Sequence, residues 1–318
     1  MSKSVAVTMF FNLKNLRDAN PQTRTPEFYL EKGKGTLSVQ SPMIIFCDWI
    51  TKDLIKPLRE SLVDTALYPT VYIEKNISDY EFYKDNWRII YNNRTWNRRP
   101  ADRNTPSYLL TMTFKFMALK IAMERNDFNG THYFWIDFGI SHLVHGSDML
   151  ADVHSAFANP RPKISVMYIH YRNEEQINKM KLICDEGFCG MANAFFSVEA
   201  TTICKLYTLA MSIFYEMLFI ETGHNDEQIM SYCYVRHPEL FTLYYGDYYS
   251  VISNYNFVKK DWHCVRYYFV HKAMEANRPD LAKAAAQACM DGLKRNFFTI
   301  DESCNEDKEY LWKIANME

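Results

Sequence analysis

The chain has 318 residues, 48% apolar and 23% charged, with only 10 Gly and 11 Pro, which excludes a disordered, collagen-like or low-complexity protein. Lys and Arg number 36 against 38 Asp and Glu, a net charge of −2, so no overall positive field draws it to nucleic acid or anionic membranes. Aromatic residues reach 15%, led by 22 Tyr and 21 Phe, which predicts an aromatic-rich core.

In chain order, short apolar runs alternate with longer helical patterns. Strands are predicted at Ser4–Phe11, Met43–Asp48, Thr70–Glu74, His132–Ile136 and Ile164–His170. Runs of this length without alternation suit strands covered on both faces, as in a largely parallel sheet. A helix is predicted over Ser107–Arg125, capped by Thr105 with Pro106 in its first turn and a stripe of Leu109, Met112, Phe116, Leu119 and Met123. The most apolar stretch, Ile203–Ile220, is nearly long enough to span a bilayer, but Lys205 and Glu216 interrupt it and a buried core helix is expected. Helices follow at Trp262–Ala276, Pro279–Lys294 and Asp307–Ile314. The expected fold class is therefore α/β, with sites beyond the carboxyl ends of strands and a helical tail packed on the sheet.

The N-terminal segment lacks an apolar run ending in a small-residue cleavage site, and the eight cysteines show neither C-x-x-C nor metal-finger spacing. A cytoplasmic protein with reduced thiols and no transmembrane segment is expected, in which the N-x-S/T triplets at Asn76, Asn93 and Asn129 carry no meaning.

Three local patterns carry chemistry. In YFWIDFGISH an apolar strand ends on Asp137, followed by Gly139. A carboxylate at the edge of a buried sheet needs a cation or hydrogen-bond donors, so Asp137 reads either as a metal ligand or as the cap of the next turn. Asp137-Phe138-Gly139 also matches the magnesium triplet of protein kinases, but neither G-x-G-x-x-G nor H-R-D precedes it. In NDEQI, Asn225 and Gln228 fit a capping box, while Asp226 or Glu227 could instead point a carboxylate into a cleft. In FTLYYGDYY, Gly246-Asp247 reads as a hairpin turn between tyrosine-bearing strands, or as a sugar-stacking surface. Lys115 lies along the buried margin of its helix, where a lysine snorkels to water or meets an anion such as a diphosphate. The segment from Lys84 to Arg103 interleaves six basic residues with Trp87 and Trp96. One such patch is thin support for a nucleic-acid partner, and none is expected. His142 and His145 could share a metal, with His263 and His271 as alternatives.

In order, VTMFFNL, PEFYL, PMIIF, Arg59, the lysine-bearing helix, WIDFGISH, DEQI and YYGDYYSVI-x-NY resemble the HtrL/YibB family, glycosyltransferases encoded among bacterial surface-polysaccharide genes. The resemblance spans roughly residues 5–256. It implies a GT-A-like transferase over 1–256, Rossmann-type with a mixed, mostly parallel sheet, followed by a helical extension over 257–318. It further implies a UDP- or GDP-sugar donor, a divalent cation (Mn²⁺ or Mg²⁺) and a glycan or polysaccharide acceptor. Asp137 takes the first position of the fold's D-x-D metal motif, and Gly139 stands where the second acid would be. Carried over in this way, the metal falls to Asp137 and His142. Donor contacts fall to Thr8, Lys115, Asp137, Gly139, Gln228, Tyr245 and Gly246, and the acceptor base to Asp226 or Glu227, with Asp247 in reserve. A non-catalytic carbohydrate-binding protein on the same fold is the alternative.

Overall fold

The structure is a computed structural model that describes residues 3–20, 25–92, 105–144, 148–173, 178–185, 190–222 and 225–317. Seven strands, β1 Ser4–Phe10, β2 Met43–Cys47, β3 Thr70–Glu74, β4 His132–Ile136, β5 Ile164–Tyr168, β6 Met191–Glu199 and β7 Phe241–Tyr245, form one sheet in the order β3-β2-β1-β4-β6-β5-β7. All neighbouring pairs are parallel except those of β6, which runs antiparallel to both β4 and β5. The expected α/β class holds: the sheet is mixed, mostly parallel and flanked by helices.

Two strands depart from the sequence reading. No strand was expected at β6, where MANAFFSVE is apolar enough to be buried on both faces and gives no alternation to mark it. The predicted hairpin at Gly246-Asp247 does not form. Instead β7 pairs in parallel with β5, and the chain then enters a 3₁₀ turn, Tyr248–Ser250, capped by Asp247.

Helices α1 Pro26–Leu37, α2 Trp49–Leu62, α3 Glu81–Asn92, α4 Pro106–Arg125 and α5 Met149–Ala158 cover the sheet. Thr105 caps α4 by accepting from the Tyr108 N–H, and Asn126 ends it in the left-handed conformation that asparagine tolerates. Odd-numbered side chains of β1 and β4 (Val5, Val7, Tyr133, Trp135) share the core on the α4 face, with Leu109, Phe114, Phe116 and Leu119. Even-numbered ones (Ala6, Phe10, Phe134, Ile136) share the other face with α1 and α5, as strand alternation requires. Each large apolar side chain so buried is worth about 1.5–3 kcal/mol.

Arg59 lies fully buried in α2 and ties the β1–β2–β3 end of the sheet. Its guanidinium donates to the carbonyls of Leu37 at 2.6 Å, Val39 at 2.7 Å and Ser41 at 3.0 Å, and to Thr70 Oγ1 at 3.1 Å. Burial pulls its pKa down to about 10.

The helix Ala200–Phe219 is long and apolar enough to cross a membrane, and half of that window is buried within the protein. It packs against α4 and the helix Asp226–Arg236. C-terminal to β7 come Trp262–Cys264, a π-helical run Val265–His271, Lys272–Glu275, then Pro279–Lys294 and Asn305–Ala315. They stack beside β7, where Trp262 lies over Phe298 at 5.8 Å and Gly292 sits so close to the Val258 carbonyl that no side chain would fit. The seven described cysteines are free thiols.

Candidate active site

Sequence order carries the chain from β1 outward to β2 and β3, then back across to β4 on the other side of β1. This reversal makes the carboxyl ends of β1 and β4 the switch point of the sheet, where doubly wound sheets bind ligands. Asp137 is the first residue past β4. Its N–H donates to the Ala194 carbonyl at 2.8 Å, and Thr36 of α1 donates to the carbonyl of Phe138 at 3.0 Å. The turn Asp137–Gly139 is therefore held by a neighbouring strand and a facing helix.

Three elements converge on the Asp137 side chain. Trp135, two residues back and on the same face of β4, donates its indole N–H to Oδ1 at 2.6 Å. Lys115 reaches the same oxygen from the middle of α4, with Nζ at 3.3 Å. Asp226, at the start of the helix Asp226–Arg236, places Oδ2 only 2.5 Å from Lys115 Nζ. The third Lys115 contact is the Asn193 carbonyl on β6, at 3.1 Å, and the Asn193 amide donates to the Asp226 carbonyl at 2.7 Å.

Lys115 is 1% exposed, so an unpaired ammonium here would cost several kcal/mol. Burial alone would lower its pKa, but the carboxylates of Asp137 and Asp226 outweigh burial and hold it above the ordinary value. The lysine is thus a fixed positive charge and does not snorkel to water. Burial, reinforced by Asp226, raises the Asp137 carboxyl above the usual range, while Lys115 and the Trp135 indole oppose the shift. The Asp137 side chain remains 35% exposed, and its Oδ2 takes no hydrogen bond among the described residues.

This leaves one oxygen facing solvent on a carboxylate whose other oxygen is anchored. Among the described residues, no group of three ionisable ligands gathers around it. Such a site fits a hard cation held by one carboxylate, with substrate phosphates and water completing its shell.

The other predicted residues are dispersed. Asn225 and Gln228 make the predicted capping box, each side chain bonded to the other's backbone N–H at 3.1 and 2.9 Å. The Gln228 amide is turned inward toward the carbonyls of Ile183 and Cys184. Glu227 is half-buried and accepts from the Asn225 amide at 3.1 Å. Thr8 is fully buried in the middle of β1, on the sheet face opposite Trp135 and Lys115, so it lies away from the Asp137 carboxylate.

Gly139 opens the 3₁₀ turn Ile140–His142, and a Cβ there would approach Tyr29 to 3.3 Å. His142 is exposed, with Nδ1 bonded to the Gly139 carbonyl at 2.5 Å. His145 lies outside the described residues, as do Arg94, Trp96, Arg98, Arg99 and Arg103 of the basic segment.

Tyr245 is buried against Phe269, 4.8 Å away, and Gly246 leaves room for Ser250, Met167 and Asn254. Asp247 stands at the end of β7, its carboxylate accepting from the Tyr248 N–H at 2.7 Å. These three belong to the β5–β7 end of the sheet, two or more strands from Asp137, which is about 10 Å or more.

The sequence reading passed over Trp135 and Asn193. Trp135 had a signal: an aromatic donor two residues before an acid on one strand must share its face. Asn193, fully buried in an otherwise apolar run, had one only once β6 is recognised as a strand.

Among solved structures, the chain is similar to mouse xyloside xylosyltransferase 1 in its apo form, at 9% identity over 76% of this chain and 85% of that one, TM-score 0.44. It is also similar to 4-diphosphocytidyl-2C-methyl-D-erythritol synthase from Anaerococcus prevotii, at 10% identity over 79% and 90%, TM-score 0.38. A Mycobacterium tuberculosis protein, Rv0371c in complex with manganese, aligns at 10% identity over 77% and 90%, TM-score 0.32. No curated protein matches the sequence. The family model described as "Bacterial protein of unknown function (HtrL_YibB)" matches residues 3–257, most of the chain. The chain belongs to the HtrL/YibB family.

Proposed function

We propose that the protein is a nucleotide-sugar-dependent glycosyltransferase of the GT-A kind, with residues 1–256 as the transferase unit and 257–318 as its helical extension. The donor is a UDP- or GDP-sugar and the acceptor a glycan or polysaccharide hydroxyl. One observation carries this reading: Asp137 presents a single solvent-facing oxygen at the switch point of the sheet, anchored from behind by a buried ammonium and an indole N–H.

Cleavage of a sugar–phosphate bond builds negative charge on the departing diphosphate. A bound Mn²⁺ or Mg²⁺ supplies neutralisation of that charge, and Asp137 would hold it. Lys115 contributes a preorganised positive charge a few ångströms behind, and needs no reorganisation because Asp226 and the Asn193 carbonyl fix it. Asp226, with its side chain only 7% exposed and paired to Lys115, serves this positioning role. The neighbouring Glu227 is half-buried and is the better-placed base for an acceptor hydroxyl in an inverting transfer.

The test mixes the purified protein with UDP- and GDP-sugars and Mn²⁺ and follows nucleoside diphosphate release. Release that falls by orders of magnitude in Asp137→Asn supports the reading, whereas no release and no donor-induced thermal shift with any donor counts against it.

A second reading, a carbohydrate-binding protein without turnover, is favoured by one contact. The closeness of Tyr29 to Gly139 crowds the place where a second metal-binding acid would stand. Under that reading Asp137→Asn keeps most of the glycan affinity.

A further inference from the structure

A second ligand-bearing cluster lies at the other end of the sheet, just past the segment matched by the family model. Asp261, His263 and Cys264 bring a carboxylate oxygen, an imidazole nitrogen and a thiol sulfur all within 4.8 Å of one another. We propose that these three residues bind a zinc-type divalent cation, leaving one coordination position open.

The Asp261 side chain has the position of a helix cap but does not act as one. It precedes the helical turn Trp262–Cys264 and makes no capping hydrogen bond, and its Oδ2 is shielded from solvent with no hydrogen-bond partner among the described residues. A buried, unpartnered carboxylate oxygen costs free energy that a bound cation would offset. Its backbone sits at φ 57°, a conformation held in place by its surroundings.

Those surroundings are rigid. Asn254 accepts from the N–H groups of Lys259 and Lys260 and donates to the carbonyls of Tyr245 and Lys260, fastening this loop to the end of β7.

A carboxylate, an imidazole and a thiolate form a borderline-soft set suited to Zn²⁺ and Co²⁺ rather than to Mg²⁺, and three protein ligands mark a site with room for water or substrate. Binding forms the metal–sulfur bond as the thiol proton leaves to solvent. The site shares no residue with the Asp137 centre and does not rest on the transferase reading.

Co²⁺ titrated into the full-length, chelator-stripped protein tests it. The expected result is a thiolate-to-cobalt charge-transfer absorption saturating at one equivalent and displaced by Zn²⁺. Cys264→Ser should abolish the band and His263→Gln should weaken cobalt binding by about tenfold or more, while Cys304→Ser and Asp137→Asn leave it intact. His263 is exposed, so its replacement keeps the test open should Cys264→Ser fail to fold. Absence of the band in the unaltered protein overturns the proposal, as does a band that survives both substitutions.

Discussion

Lys115 Nζ lies 2.5 Å from Asp226 Oδ2, joining the middle of one helix to the first turn of another beneath the carboxylate of Asp137. The pair fixes where the positive charge sits, and each partner needs the other. Lys115→Met should leave two carboxylates facing each other without their cation and cost about 3–5 kcal/mol. The double change Lys115→Met with Asp226→Asn should recover most of that loss. Denaturant titration of the two single variants and the double variant checks it; an additive double variant would show that the pair is not coupled.

Arg59 makes a separate structural prediction. Five donations, to Thr70 Oγ1 and to the carbonyls of Leu37, Val39, Ser41 and Tyr68, hold the starts of β2 and β3, so Arg59→Met removes the donors and leaves several acceptors unsatisfied. The expected cost is about 3 kcal/mol or more, with each stranded group worth roughly 1–3 kcal/mol. Thermal unfolding should show this loss, and nucleoside diphosphate binding at temperatures where the variant stays folded should not change. The arginine entered the sequence reading as part of a family pattern. Its role in the fold is to brace the sheet, because its guanidinium is spent on oxygens at the starts of β2 and β3.

Acidification should weaken the fold. Burial lowers the pKa of His132 and His170 from the ordinary 6.5, partly opposed by Glu199 and Asp247 respectively. Below pH 6.5 the unfolded chain takes up protons that the folded histidines refuse, so the unfolded state binds more protons and stability falls as pH falls. Asp137 works in the opposite sense near the ordinary carboxylate value of 3.8, where the folded state keeps its proton longer. Melting temperatures on either side of pH 6.5 should therefore drop on the acid side. The drop should shrink when both histidines are replaced by glutamine, and an unchanged drop would assign it to other groups.

Much of the fold was legible because its strongest signals are local. Thr105, Pro106 and the apolar stripe marked α4 within a residue, and Pro279–Lys294 is the helix its pattern announced. The strands before Asp137 were legible too, as short β-branched and aromatic runs. What stayed hidden was pairing. MANAFFSVE has no alternation and FTLYYGDYY looks like a hairpin, so neither sequence says that one runs antiparallel between β4 and β5 while the other adds in parallel beyond β5.

The site divides along the same line. Asp137 stood out as an acid ending an apolar strand, while the spacing put Lys115 only on the buried margin of its helix, with snorkelling to water as the ordinary outcome. That Asp226 pairs with this lysine, and that Asn193 seats it, are relations between distant segments that only the assembled sheet reveals. Gln228 and Gly246, grouped with the donor contacts in the sequence reading, are spent on a capping box and on close packing.

Calorimetric titration of UDP and GDP, each with and without Mn²⁺, into the unaltered protein and Asp137→Asn puts the central claim to its most direct test. The account predicts that one of the two nucleotides binds only with the cation present, and about 100-fold or more weakly once Asp137 loses its charge. Equal affinity in both proteins, or cation-independent binding, would contradict it.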